Sequence, residues 1–311
     1  MTSTSSWMPD PGLPGYVTDG GLETDLIHHH DVELPEFAAF PLVADATGRA
    51  LLTDYYAAYA GIAAAAGAGL FLETPTWRAN PDWAARLGVD AAGLARANAD
   101  SVAFVSLLAR RWSGEVADVV LAGVVGPRGD GYSVGEVMGA DQARAYHLTQ
   151  VRVLADAGAD LLSALTLGTV DEAVGIVLAA REVGLPVSVS FTVETDGRLP
   201  DGTPLRQAVE AVDAVAAPDH FMVNCAHPTH IARGVTDTGP WVSRIAGVRA
   251  NASTLSHAEL DALEQLDEGQ VDALARDQGE LAGQLPALRV VGGCCGTDAR
   301  HVAAMWGVAG D

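Results

Sequence analysis

Three cysteines are the whole thiol supply of this 311-residue chain, and their placement is the first chemistry the sequence offers. Cys225 stands in VNCAHP (223–228), and Cys294 and Cys295 stand together in GGCCGT (292–297). A free cysteine is often a small buried hydrophobe, and for a single cysteine that reading would suffice. Here it must account for three thiols that all follow apolar runs, HFMVN (220–224) and LRVVGG (288–293). Three thiolates without a fourth protein ligand suit a catalytic zinc ion, which keeps one position open. Glycines on both sides of the vicinal pair let the backbone turn so that both sulfurs face one ion. On spacing alone zinc ranks above buried thiols. An odd cysteine count in a large chain also argues against a disulfide framework and for a reducing cytoplasm.

Such a site needs elements that bring residues 225 and 294–295 together. A recurring order of alanine-rich helix, glycine and apolar strand runs through AAAAGAGLFLE (63–73), LADAGADLLSAL (154–165) and AAREVGLPVSVSF (179–191). In each, glycine supplies an inexpensive left-handed helix end and a β-rich run follows. YVTD (16–19), DVVLAGVV (118–125), HFMVN, IAGVRAN (245–251) and LRVVGG bring the predicted strands to eight. They are continuously apolar, as strands buried on both faces are. Thr169 with Glu172 and Ser256 with Glu259 fit capping boxes, and Thr203 before Pro204 fits a helix start. Eight strands alternating with helices predict an α/β fold, a single (β/α)8 TIM barrel, with a doubly wound open sheet as the runner-up. The expected organisation is a flexible leader over 1–14 and one barrel over 15–311, with the polar stretch 256–284 a helical excursion between the last two strands. In a barrel, chemistry gathers at the C-terminal strand ends. Those ends carry Asp19-Gly20-Gly21, Glu73-Thr74, Gly126-Pro127, Asn224-Cys225, Asn251 and Gly292-Gly293-Cys294-Cys295.

Composition removes several function classes. The formal charge is −22 with only 18 basic residues, every one of them arginine. A chain this acidic repels phosphate backbones and anionic membrane surfaces, so no nucleic-acid or membrane partner is expected. The absence of lysine removes Schiff-base chemistry and the lysine of a phosphate loop, so GPRGDGYS (126–133) is weak nucleotide evidence. The N-terminus has no basic segment followed by an apolar one, and no uncharged apolar run reaches spanning length. A cytoplasmic globular protein is the expectation. His28, His29 and His30 look like a metal tract by composition, but neighbouring residues on a helix point to different faces, so solvent exposure is expected. His227 and His230 are expected to support the loop after Cys225 rather than to bind metal.

DGGLETDL (19–26), SFTVETDGRLPDGTPL (190–205), VNCAHP, RANAS (249–253) and VVGGCCGTDARHV (290–302) together resemble the homocysteine S-methyltransferase family, in register from about residue 16 to about 306. The resemblance implies a (β/α)8 barrel whose Zn2+ is held by Cys225, Cys294 and Cys295. It implies a small-molecule thiol acceptor, homocysteine by default, and an onium methyl donor such as an S-methylmethionine-like sulfonium, with a homo-oligomer allowed. It places Asp19, Gly20 and Gly21 at the amino-acid end of the substrate and Asn251 near the pocket. Read as residues, Asp19-Gly20 is equally a common turn and Asn251 a closing loop residue. Glu73, Thr74 and Trp77, at the end of the second strand, offer an acid and an aromatic face to a cation, or simply a capping Glu and a surface Trp.

One position departs from the family. Where the fourth strand usually ends in Glu-Thr, with the Glu binding the substrate ammonium, this chain has Leu165 before Thr166. Losing that charge-assisted bond costs about 1.5–3 kcal/mol, roughly one to two decades of affinity. Either Glu73 or Asp19 compensates, or the acceptor or onium compound is a different one. A non-catalytic barrel that binds zinc or a metabolite is the alternative of another class, and the complete cysteine set argues against it.

Overall fold

The computed structural model describes residues 10, 12–133, 135–237 and 239–309, so ten of the fourteen residues of the expected leader lie outside the described residues. Eight parallel strands close on themselves in sequence order: β1 (Tyr16–Val17), β2 (Gly69–Glu73), β3 (Val119–Val125), β4 (Leu161–Leu167), β5 (Val187–Phe191), β6 (His220–Ala226), β7 (Ile245–Ala250) and β8 (Val290–Gly293). Closure is made by β1 pairing with β8, Tyr16 opposite Val290 and Val17 opposite Val291. This is the expected (β/α)8 barrel, and the open sheet is excluded because a closed sheet has no edge strand.

The helices are α1 (Leu22–His29), α2 (Ala46–Ala66), α3 (Pro81–Arg86), α4 (Ala91–Trp112), α5 (Ala140–Asp156), α6 (Val170–Val183), α7 (Leu205–Val215), α8 (Pro228–Gly234), α9 (His257–Asp261), α10 (Val271–Ala282) and α11 (Ala299–Met305). Their apolar faces cover the outside of the sheet. One large cluster joins α5, α6 and α7 to β4–β7, and a second joins α2 and α4 to β1 and β2. The lumen is closed at its base by a third cluster of Tyr16, Phe71, Val120, Ala122, Leu161, Met222 and Val290. Parallel strands alternate inward and outward, so residues two further along Phe71 and Leu161 sit one layer above that plug. These are Glu73 and Ser163, and they mark the floor of the mouth.

Gly67 and Gly184, with φ of 61° and 74°, end α2 and α6 in the left-handed caps that the helix-glycine-strand pattern implies. The capping box of Ser256 and Glu259 forms as expected. The one expected at Thr169 does not. Thr169 is the N-cap of α6 without a side-chain bond, because Glu172 instead accepts from the Arg128 backbone N–H at 2.8 Å and contacts His147 at 2.9 Å. The helix after Thr203 starts one residue late, with Pro204 itself as N-cap. The stretch after Ser256 holds two helices, α9 and α10, separated by irregular chain rather than one continuous excursion. Among the described residues no helix is long and apolar enough to cross a membrane.

Candidate active site

The three cysteines meet at the mouth. Cys225 lies in β6, and Cys294 and Cys295 follow directly on β8. The sulfur of Cys225 is 2.8 Å from that of Cys294 and 3.5 Å from that of Cys295, and all three lie within 4.8 Å of one another. Strand alternation alone would send Asn224 inward and Cys225 outward. A left-handed residue resolves the conflict: Cys225 has φ of 57°, and the pairing with β7 shifts register between Asn224 and Ala226. Thr166 does the same in β4, with φ of 62° and a register shift between Ala164 and Leu167. Such backbone costs of order 1–3 kcal/mol and persists where the surroundings over-determine it. Here it turns Leu165 with Thr166, and Asn224 with Cys225, into one cavity.

The vicinal pair is held by close backbone packing. Cys294 N–H donates to Ala250 O at 2.8 Å, and Cys295 O accepts from Ala252 N–H at 3.2 Å. A Cβ on Gly293 would stand 1.9 Å from Thr297 Oγ1, and one on Gly21 would stand 2.6 Å from the Cys294 carbonyl. Only glycine lets these segments approach. Asn224 then ties the mouth together: its Oδ1 accepts from Thr166 N–H and Ser190 Oγ, and its Nδ2 donates to Thr166 Oγ1 and lies 3.8 Å from Cys294 Sγ. Burial pushes the Cys225 thiol well above its usual range. Hydrogen bonds within the thiol cluster, assisted by the charge of Arg249, hold Cys294 well below it.

The cysteines line a cavity with Asp19, Gly20, Gly21, Glu73, Thr74 and Trp77, so every expected substrate position except Asn251 shares one chamber with the thiols. Asn251 is buried and lines an adjoining outer chamber. The two chambers share Thr24, Phe37, Trp77, Tyr132 and Cys295. Phe37 meets Trp77 edge-on at 6.5 Å, and Trp77 Nε1 donates to Leu165 O at 3.4 Å.

Glu73 is engaged within the barrel. Its carboxylate accepts from Arg249 and, at 2.7 Å, from Ser163 Oγ. Arg249 also donates to Asp19 and to the carbonyls of Gly20 and Gly293. Asp19 takes a further bond from Tyr55 OH at 3.2 Å. Burial pushes the Asp19 carboxyl up against the pull of Arg249, while the nearby negative groups, Asp19 first, hold Arg249 protonated against its own burial. Both acids weighed as compensation for Leu165, Glu73 and Asp19, thus carry an internal cation already. Arg249 sits within RANAS, but nothing in that motif told which strands its side chain would join.

Two further residues at the site carry little signal in the sequence. Tyr132, in the GPRGDGYS loop, places its hydroxyl 2.8 Å from Cys225 Sγ and 3.9 Å from Cys295 Sγ, and its ring lies 4.4 Å from that of His257. Glu23, in the first turn of α1, lines the inner chamber, and burial, followed by the nearby Asp19, pushes its carboxyl up to about 7. Its place two residues after Asp19-Gly20-Gly21 was the available signal. The solvent exposure expected for the histidine run is observed. His28, His29 and His30 are exposed, with only His29 close to both Asp25 and Glu268. His227 caps α8 through Thr229 N–H and belongs to no metal-ligating cluster among the described residues.

Soft sulfur donors at this spacing fit a thiophilic metal ion, and no His, Asp or Glu among the described residues joins their cluster as a fourth ligand. A parallel barrel with three thiols and an acid-lined cavity at its C-terminal mouth defines an α/β-barrel enzyme built around a thiol centre. The homocysteine S-methyltransferase family profile matches residues 16–308, and the chain belongs to that family. No curated protein matches the chain significantly. Among solved structures, the metallated form of the homocysteine methyltransferase MmuM from Escherichia coli superposes with a TM-score of 0.74 at 22% identity, covering 95% of this chain and 96% of that one. Its oxidized form gives 0.73 at 23% identity, covering 94% and 96%, and its apo form 0.68 at 24%, covering 94% and 95%. At these identities the likeness is one of fold.

Proposed function

We propose that this enzyme moves a methyl group from an onium donor, a sulfonium of the S-methylmethionine type by default, to the sulfur of a small thiol, homocysteine by default. Cys225, Cys294 and Cys295 would hold a zinc ion. Bound there, zinc supplies a Lewis acid that keeps the acceptor sulfur as its thiolate at neutral pH. The observation that carries the reading is the convergence of all three thiols of the chain, from two separate strand ends, on one acid- and aromatic-lined cavity. In the transfer, the bond from methyl carbon to donor sulfur breaks as the bond to acceptor sulfur forms. The donor leaves as a neutral thioether, and the thiol proton passes to solvent.

The chain's own residues position the partners. Trp77 and Phe37, at the junction of the chambers, present aromatic surface to a passing cation. Asn224 fixes the strand ends that carry Cys225 and Cys294. Leu165 gives the inner wall an apolar face and keeps water from it. The family implies small-molecule substrates on both sides of the reaction.

The test is a screen of thiol acceptors against onium donors with zinc-loaded protein, read by mass spectrometry. Methionine from homocysteine and S-methylmethionine is the expected product; no methylated thiol from any pair would sink the proposal. A second reading, a different small thiol or onium compound as substrate, rests on Leu165 and is supported if a simple thiol turns over as fast as homocysteine.

A further inference from the structure

The inner chamber holds three carboxylates, Asp19, Glu23 and Glu73, against one guanidinium, Arg249. Two of the three are engaged: Arg249 and Tyr55 bond Asp19, and Arg249 and Ser163 bond Glu73. Glu23 accepts from no other side chain among the described residues, and it faces the same space as Leu165, Trp77 and the cysteines. A second anion in such a chamber, beyond the one Arg249 balances, is stable when a cation joins it. Being on α1 rather than on a strand, Glu23 approaches the cavity from the side of β1, whereas an acid at position 165 would approach from β4.

We propose that Glu23 is the cation anchor of the acceptor site, so that the thiol accepted here carries an ammonium group, whose binding has moved from the end of β4 to the first turn of α1. This rests on the thiol-transfer reading above. It excludes simple thiols and thiols bearing only a carboxylate as good acceptors, because the chamber's one cation already has its partners. A purely structural Glu23 would do no more than favour the N-terminus of α1 through the helix dipole.

Three thiols of related skeleton separate these roles by calorimetric titration of zinc-loaded protein: homocysteine, 3-aminopropane-1-thiol, which lacks the carboxylate, and 4-mercaptobutyrate, which lacks the ammonium. The two amines should bind the wild type at least about tenfold more tightly than 4-mercaptobutyrate, the value of one charge-assisted hydrogen bond. Glu23→Gln should erase that preference at unchanged zinc content and unchanged 4-mercaptobutyrate affinity, and Glu23→Asp should restore part of it. Equal wild-type affinity for homocysteine and 4-mercaptobutyrate, which needs no variant, would overturn the assignment. So would a Glu23→Gln protein that keeps the wild-type preference. Should none of the three thiols bind the zinc-loaded wild type, the thiol-transfer reading falls, and the assignment with it.

Discussion

Arg249 of β7 reaches across the lumen to the carboxylate of Glu73 on β2, a strand that is not its neighbour in the sheet. Both side chains are almost fully buried, at 7% and 3% exposure, so the pair is a fixture of the barrel floor rather than of its surface. Glu73 thus already carries an internal guanidinium on one carboxylate oxygen and Ser163 on the other.

Removing one side of the pair should therefore cost stability before it costs recognition. Arg249→Met leaves two carboxylates, Asp19 and Glu73, buried without their cation, and breaking a buried pair in this way costs about 3–5 kcal/mol. Urea denaturation should show a fall of that size. Arg249→Met combined with Glu73→Gln should recover part of it, since one of the stranded charges is gone. A stability within about 1 kcal/mol of wild type in the single variant would contradict the pairing.

Glu73→Gln alone should behave differently from Glu23→Gln. It weakens an internal ion pair, so it should lower the unfolding midpoint while keeping the preference for homocysteine over 4-mercaptobutyrate. The competing expectation, read from the strand-end position of Glu73, is weakened homocysteine binding at unchanged zinc content. Thermal unfolding and calorimetric titration on the same sample distinguish the two.

The contrast shows where the sequence was legible. Eight apolar runs became the eight strands because buried parallel strands need no alternation, and their order closes only one way. The thiols were legible because they are three and sit at strand ends. The Arg249 pairing was not, since it joins residues 176 and 230 positions apart through the lumen. Nor was the mouth geometry at Cys225 and Thr166: nothing in a β-rich run announces a positive φ in a non-glycine residue. Thr169 failed as a capping box because Glu172 found better partners in Arg128 and His147, a tertiary choice over a local one.

Metal binding should depend on each thiol. Cys225→Ala, Cys294→Ala and Cys295→Ala each leave two sulfur ligands, and zinc content measured by mass spectrometry after dialysis against a weak chelator should fall from one ion per chain to near none. Methyl transfer should vanish with it. Full occupancy in the Cys294→Ala/Cys295→Ala double variant would remove the thiol centre as the metal site.

Trp77 should act on the donor rather than the acceptor. One side of its ring already carries the Arg78 guanidinium, 4.9 Å from the centroid, while the residue lines both chambers. A cation–π contact contributes about 0.5–2 kcal/mol, so Trp77→Leu should raise the KM for a sulfonium donor by about 2- to 30-fold. Trp77→Phe should keep most of the affinity. An unchanged donor KM in Trp77→Leu would place the donor elsewhere.

His220, at the start of β6, ties stability to pH. Burial holds the imidazole neutral, pushing its pKa down to about 4 from an ordinary value near 6.5, with Arg244 adding to the effect and Asp219 opposing it. Between those two pH values the unfolded chain takes up a proton at His220 and the folded chain does not, so acid favours unfolding. The destabilisation is absent above about pH 6.5, grows as the pH falls, and levels off near pH 4. At pH 5 it amounts to about 2 kcal/mol, because each pH step below 6.5 costs the folded chain about 1.4 kcal/mol. His230, also pushed down to about 4 by burial, acts in the same direction. The measurement is the difference in unfolding free energy between pH 7.5 and pH 5 for wild type and His220→Asn, on reduced, zinc-free protein so that loss of metal in acid does not contribute. Whatever stability His220→Asn starts from, it should lose about 2 kcal/mol less than wild type over that interval. Parallel pH dependence in the two proteins would show that His220 is protonated, or neutral, alike in folded and unfolded chains.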